Sequence, residues 1–370
     1  MPVLVLVLTL LSGCLGPAPD DDTARQELSS TIARGLADQV ALGPDIGADY
    51  SGLRAVIVLV DGATVLEQYY GCSRDDAHDL QSVTKSVLAT LVGIAVGEGS
   101  LRLDDRLATL LPAYAGSMTR ATSRATLRQV LTMTAGFPDR FEGLDSEFVH
   151  SRDWVRDILV SADSPPGERF VYANESAHLV SAILEEATGE PVLAYARSRL
   201  FEPLGIVTEP ASTSAFRPGR LAGYARSGVA WPVDPQGHAT GYSWLRLRPT
   251  DLARIGQLYL DEGRWDGRQV VPAAWVRAAT VNASELPVRS ANGRGYGYLW
   301  WVRTVQREAA YAALGYGGQV VEVVPSLRLV VVTAVDLDYQ DATDQGVSTS
   351  LMTSFVESVV APAVRAAHLT

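Results

Sequence analysis

The sequence predicts an α+β fold, a variant of α/β architecture. One antiparallel sheet is assembled from both ends of the chain and flanked by helices, and a mainly helical segment is inserted between its two halves. Three observations lead there. A strong hairpin signal lies early, where Ala55–Val60 and Ala63–Tyr70 flank Asp61-Gly62; two β-rich runs around a D-G pair read as a hairpin with a tight primed turn. Strand patterns return only late, at Tyr298–Val305, Gly318–Val324 and Leu327–Val335. The stretch between them carries mostly helical periodicity. The simplest assembly of strands at both ends and helices in the middle is a single sheet with a helical insertion.

In chain order, Val3–Leu11 is a short apolar run that ends in Leu11-Ser12-Gly13-Cys14. It resembles a signal-peptide core followed by a bacterial lipobox. That resemblance implies cleavage before Cys14 and a lipid on its sulfur, with residues 1–13 as signal peptide. Residues 14–22 contain two prolines and three successive aspartates and read as a disordered tether. Thr23–Leu42 is helical. Asp75–Leu80 is a polar loop, Leu101–Asp105 starts a new helix or turn, and Leu127–Thr134 is a helix stopped by Gly136 and Pro138. Ser164-Pro165-Pro166-Gly167 is a turn, followed by a helix from Ser176 to Thr188 that Gly189 and Pro191 end. Val207–Gly241 is rich in Pro and Gly and gives no regular signal. Helices return at Thr250–Asp261 and Ser348–Ala367. The expected domains are an α/β unit from residues 23–105 and 242–370, and a helical unit from 106–241.

Composition narrows the function. At 370 residues with 47% apolar and 20% charged side chains, the chain has ample material for a core. The net charge is −11, without a basic stripe, so nucleic acid is a poor partner. Two cysteines, Cys14 and Cys72, cannot make a disulfide scaffold. The five histidines form no metal-ligand spacing, so neither a metal nor a cofactor is expected. The absence of G-x-S-x-G argues against a nucleophile-elbow hydrolase.

One stretch carries chemistry of its own. Lys85 is the only lysine among 31 basic residues; the others are all arginine. A guanidinium stays protonated in proteins, whereas a desolvated ammonium can lose its proton and act as a base. Ser82 and Lys85 are three apart, which on a helix places them on one face. The residues after Lys85 run uncharged to Glu98, the mark of a buried helix. Ser82 at its first turn would meet free N–H groups and the positive end of the helix dipole. Lys85, in the apolar part, would have its pKa lowered by desolvation. Together they form a nucleophile and its base. The plain alternative is a serine N-cap beside a snorkelling lysine. Tyr172, in Tyr172-Ala173-Asn174, is a candidate catalytic phenol, against the alternative of a buried structural tyrosine.

Three separated segments then coincide. Ser82-Val83-Thr84-Lys85, Tyr172-Ala173-Asn174 and Gly315-Tyr316-Gly317-Gly318-Gln319 resemble, in order and spacing, the active-site motifs of class C β-lactamase-like serine hydrolases. That group takes in β-lactamases, DD-peptidases, family VIII esterases and 6-aminohexanoate-dimer hydrolases. Leu131–Phe137, Pro165-Pro166-Gly167, Phe201–Gly205 and Tyr296–Trp301 also resemble segments of the family, so the likeness spans about Leu53–Val360. It implies the serine β-lactamase-like fold, with Ser82 as acyl-accepting nucleophile and Lys85 and Tyr172 sharing its proton. It further implies that Asn174 binds substrate or Lys85. The N–H of Ser82 and one N–H from the Tyr316–Gln319 strand, with Gly318 and Gln319 as candidates, would form the oxyanion hole.

One departure bears on substrate. Family members that bind carboxylates carry Lys or His where this chain has the neutral Tyr316. A carboxylate buried without a cation is costly, and Arg294 is the arginine considered as a substitute. The expectation is therefore a serine hydrolase of esters or simple amides, with Trp300, Trp301 and Tyr316 as an aromatic rim. Alternatives are a β-lactamase or DD-peptidase acting on cell-wall peptides, a non-catalytic binding relative, and a structural surface lipoprotein. The expected partners are a small ester, amide or peptide-like molecule and, through Cys14, the membrane of a bacterial cell envelope.

Overall fold

The computed structural model describes residues 21–46, 49–140, 150–215, 221–284, 286–288, 290–337 and 347–368. The expected lipobox at Cys14 and residues 14–20 of the expected tether lie outside them; Asp21 and Asp22, expected in the tether, instead open the helix Asp21–Leu42. Eleven strands are present among these residues: β1 Leu53–Val60, β2 Ala63–Tyr69, β3 His78–Asp79, β4 Arg246–Leu247, β5 Arg264–Trp265, β6 Arg268–Gln269, β7 Gly295–Tyr296, β8 Trp301–Val305, β9 Glu308–Gly315, β10 Gln319–Val324 and β11 Leu329–Val335. Seven form one sheet in the order β2-β1-β11-β10-β9-β8-β7, and β3–β4 and β5–β6 are separate two-stranded pairs. Every pairing between named strands is antiparallel.

The hairpin forms where the D-G pair called for it. Asp61 and Gly62 both take positive φ, at 50° and 77°, matching the twist of the flanking strands. The chain ends meet at β1 and β11, which pair from Leu53↔Val335 to Val60↔Leu329. Strands β10 and β11 are buried along their whole length, as strands covered on both faces must be. The helix Pro249–Leu260 packs on β1, β10 and β11, and the helix Asp21–Leu42 packs near β2 and the C-terminal helix Ala361–His368. Between β3 and β4 the chain is mainly helical, with Val83–Gly97 and Asn174–Thr188 as its longest helices and the shorter Trp154–Ser161 between them.

Several boundaries differ from the sequence reading. The expected strand from Tyr298 begins only at Trp301, because Leu299 turns to a φ of 57°. The helix expected to Thr134 stops at Leu131, since Met133 adopts a φ of 59°. The expected polar loop Asp75–Leu80 contains β3, paired with β4. Strand β9 was not anticipated: Ala309, Ala310, Ala312 and Ala313 favour helix intrinsically, yet β8 and β10 hold this stretch on both sides.

Candidate active site

Ser82 stands at the entrance of the helix Val83–Gly97, whose residues Val83 to Ala95 are all buried. Its side chain does not cap that helix, which removes the plain N-cap reading. The turn into Ser82 is strained. Gln81 adopts a φ of 47°, uncommon for a residue with a Cβ. Asp79 holds it there: one carboxylate oxygen accepts from the Gln81 N–H at 2.8 Å and the other from its side-chain amide at 2.7 Å. A strained residue clamped beside a reactive group is a common way of fixing that group's position.

Lys85 lies one turn further and is 1% exposed. Its Nζ donates to Ser82 Oγ at 2.8 Å, to Asn174 Oδ1 at 2.7 Å and to the Tyr242 carbonyl at 2.7 Å. These are the three bonds an ammonium can make. Burial nonetheless pulls the Lys85 pKa down to about 7, and the carboxylates of Asp139 and Glu175 only partly oppose that fall. Near neutrality a large fraction of Lys85 is therefore the free amine.

Tyr172 shares a hydrogen bond with Ser82, while burial pushes its pKa up to about 12. Its ring stacks on Trp301 at 5.2 Å and meets the edge of Tyr296 at 5.9 Å. Lys85 Nζ sits 5.0 Å from the ring centroid. In this apolar box Tyr172 is a neutral phenol at pH 7, so a phenolate base is disfavoured and Lys85 is the better acceptor. Asn174 opens the helix Asn174–Thr188 and turns its carbonyl oxygen to Lys85. Of the two partners weighed for Asn174, the structure shows Lys85.

The third segment sits beside the turn that leads into Ser82. Gly315 ends β9 so close to the preceding turn that a Cβ there would lie 2.5 Å from the Leu80 carbonyl. Tyr316–Gly318 then form a short 3-10 turn rather than a strand. Tyr316 is 52% exposed, whereas Gly318 is buried and its carbonyl accepts from Thr333 Oγ1 at 2.6 Å. The Gln319 side chain is engaged within the sheet. It is fully buried, donates to the Val335 carbonyl at 2.5 Å and accepts from the Val335 N–H at 3.1 Å, tying β10 to β11. The expected aromatic rim also needs revision. Trp300 is a core residue packed on Tyr259 and Tyr311, Trp301 backs Tyr172, and Tyr316 alone of the three is exposed. Arg294 is exposed just before the edge strand β7 and makes no ion pair among the described residues.

Sequence reasoning missed the Tyr242 carbonyl and the two carboxylates near Lys85. Tyr242 follows the Pro/Gly-rich stretch without regular pattern, and a backbone carbonyl has no side-chain signature. Glu175 directly follows Asn174, is 2% exposed, and accepts from the Arg140 N–H at 3.0 Å; burial raises its pKa. Among the described residues no group of three or more His, Cys, Asp or Glu could hold a metal ion.

Comparison with known proteins identifies the family and the fold. The family model described as Beta-lactamase matches residues 49–349. Penicillin-binding protein 4 of Amycolatopsis lactamdurans is 30% identical over 273 residues, which are 66% of this chain and 70% of that one. The 6-aminohexanoate-dimer hydrolase of Paenarthrobacter ureafaciens is 25% identical over 286 residues, 71% of this chain and 67% of that one. The crystal structure of D-amino acid amidase from Ochrobactrum anthropi SV3 superposes with a TM-score of 0.67 at 17% identity, over 92% of this chain and 99% of that one, which shows the shared fold. With its fold, its family match and its relatives in agreement, the chain belongs to the β-lactamase family of serine hydrolases.

Proposed function

We propose that the protein hydrolyses neutral esters or simple amides through a covalent acyl-enzyme on Ser82. The observation that carries this reading is the 2.8 Å contact between Lys85 Nζ and Ser82 Oγ, made by a lysine whose pKa lies near 7. The free amine takes the Ser82 proton, directly or through the Tyr172 hydroxyl, as Oγ attacks the substrate carbonyl. The negative oxygen of the tetrahedral intermediate is stabilised by the Ser82 N–H and an N–H of the 316–319 segment. Donors of that kind contribute roughly 10²–10³ in rate each. Collapse breaks the bond to the alcohol or amine, which leaves with the proton held by Lys85 or Tyr172. Water then attacks the acyl-enzyme with Lys85 again as base, releasing the acid and restoring Ser82.

Neutral substrates fit the third segment. Tyr316 brings no charge there, and Arg294 is exposed at the edge of the sheet. The penicillin-binding relative favours a second reading, hydrolysis of cell-wall peptides or β-lactams, whose carboxylate would then need another cation. Two measurements on protein lacking the residues before Asp20 test the proposal. A fluorophosphonate should add one label by intact mass, lost in Ser82→Ala; a label that persists there on another serine overturns the assignment. A short-chain p-nitrophenyl ester should be cleaved with a kcat/KM at least tenfold above that for nitrocefin, about 1.4 kcal/mol in barrier. Faster nitrocefin turnover would favour the second reading.

A further inference from the structure

His178 lies four residues after Asn174, on the same face of the same helix. Asn174 touches Lys85 directly; His178 touches the segment that supplies Lys85 with its third acceptor. His178 Nδ1 accepts from the Gly241 N–H at 3.4 Å, which leaves the ring proton on Nε2 to be donated to Asp234 Oδ2 at 3.1 Å. Both side chains are fully buried. The other Asp234 oxygen accepts from the N–H groups of Gln236 at 2.8 Å and His238 at 2.9 Å. Gly241 lies so close to the helix that a Cβ would fall 2.3 Å from the Ala177 carbonyl. Trp231 Nε1 donates to the Thr240 carbonyl at 3.0 Å, and Thr240 Oγ1 donates to the Ser243 carbonyl at 2.9 Å. Tyr242 is thus held from both sides with its carbonyl on Lys85.

We propose that His178 and Asp234 form a buried positioning pair, which seats the Gly241–Tyr242 peptide on the Asn174 helix and thereby keeps the Tyr242 carbonyl on Lys85 Nζ. The proposal rests on the reading of Lys85 as general base. Neither residue touches substrate; both act through the lysine's third hydrogen bond. The groups facing the pair are the rings of Trp154 and Tyr242, and His238, which is paired in turn with Glu185 and lies near Asp153. Those facing Lys85 are Ser82, Tyr172, Asp139 and Glu175. A carbonyl acceptor favours the ammonium form. Its loss should therefore shift the Lys85 titration downwards, by about half a unit to one unit for a single hydrogen bond.

The unique lysine allows a direct test. Protein labelled with [ε-13C]lysine gives one lysine resonance, from Lys85, so its titration is read apart from catalysis. His178→Asn places a side-chain oxygen where Nδ1 stood and can still accept from Gly241. His178→Gln reaches Asp234 but leaves Gly241 without its acceptor. The expected result is a Lys85 midpoint near that of the wild type in His178→Asn. In His178→Gln the midpoint should fall by half a unit or more, with a tenfold or greater drop in ester kcat, an unchanged KM and no larger loss of melting temperature. Equal midpoints in all three proteins, or equal shifts in both variants, overturn the proposal. If His178→Gln does not fold, His178→Leu, which also leaves the Gly241 N–H without its acceptor, must move the midpoint in the same direction, and no movement there is equally fatal. A wild type whose lysine responds as expected but which hydrolyses nothing would leave the pair standing and sink the proposed activity instead.

Discussion

At the scale of single residues, the site is governed by two opposed shifts with one cause. Burial lowers the Lys85 pKa to about 7 and raises that of Tyr172 to about 12, because it penalises the charged form of each. Activity that needs the free amine must be lost as pH falls through the Lys85 pKa and regained as pH rises through it. The ester kcat/KM should accordingly climb tenfold per pH unit below about 7, then level off. No second limb from Tyr172 should appear before about pH 10, as its phenol holds its proton to about 12. A stopped-flow pH profile checks both limbs; activity that falls rather than rises as pH climbs through the Lys85 pKa would mean that the ammonium is the working form. Substitution separates charge from proton transfer. Lys85→Arg keeps a cation over Ser82 but cannot relay a proton, so turnover should fall by about a hundredfold or more, the lower range of general-base effects. Near-wild-type turnover in that variant would show that charge suffices. These residues were legible in the sequence because their side chains are their chemistry. The place of the Gln319 side chain was not legible, since nothing in the local pattern showed that both ends of its amide are bound to Val335.

At the scale of elements, the site depends on the close approach of β9 to the turn before Ser82. Gly315 is the contact point, with the Leu80 carbonyl 2.5 Å and Gln81 Cβ 3.0 Å from where a Cβ would stand. Gly315→Ala must push one backbone away from the other. A cost of about 1–3 kcal/mol is expected, typical of overpacking, together with slower fluorophosphonate labelling of Ser82. Gly116→Ala is the control, because nothing lies within 4 Å of its added methyl. Equal melting temperatures and labelling rates for the two variants would show that β9 does not position Ser82. The hairpin β1–β2 and the last two strands could be read from turn chemistry and β-branched runs, which are local signals. Strand β9 could not, because its alanines carry no strand preference and only its pairing with β8 and β10 holds it extended. The Tyr242 carbonyl escaped for a related reason: it is delivered by tertiary packing on the Asn174 helix.

At the scale of the whole molecule, what remains is where the catalytic body works. We propose that Cys14 is lipidated and forms the mature N-terminus, on the strength of Leu11-Ser12-Gly13-Cys14 and the acidic run after it. The helix Asp21–Leu42 starts seven residues beyond that cysteine. Fully extended, seven residues reach about 25 Å, so an anchored protein would sample only the layer next to the membrane. The net charge of −11 and the aspartates at 20–22 would keep it from lying flat on an anionic bilayer. The anchor would then fix location without touching the proposed chemistry, whose residues run from Ser82 onward. In a bacterial host that processes lipoproteins, the full chain should appear in the membrane fraction with residues 1–13 removed and a lipid mass on Cys14. Cys14→Ser should move it to the soluble envelope or culture fraction while leaving ester kcat/KM within about twofold of wild type. An unmodified Cys14, or residues before it retained in the membrane-bound form, would overturn the anchor. A fall in kcat/KM on release would show instead that the membrane contributes to the site.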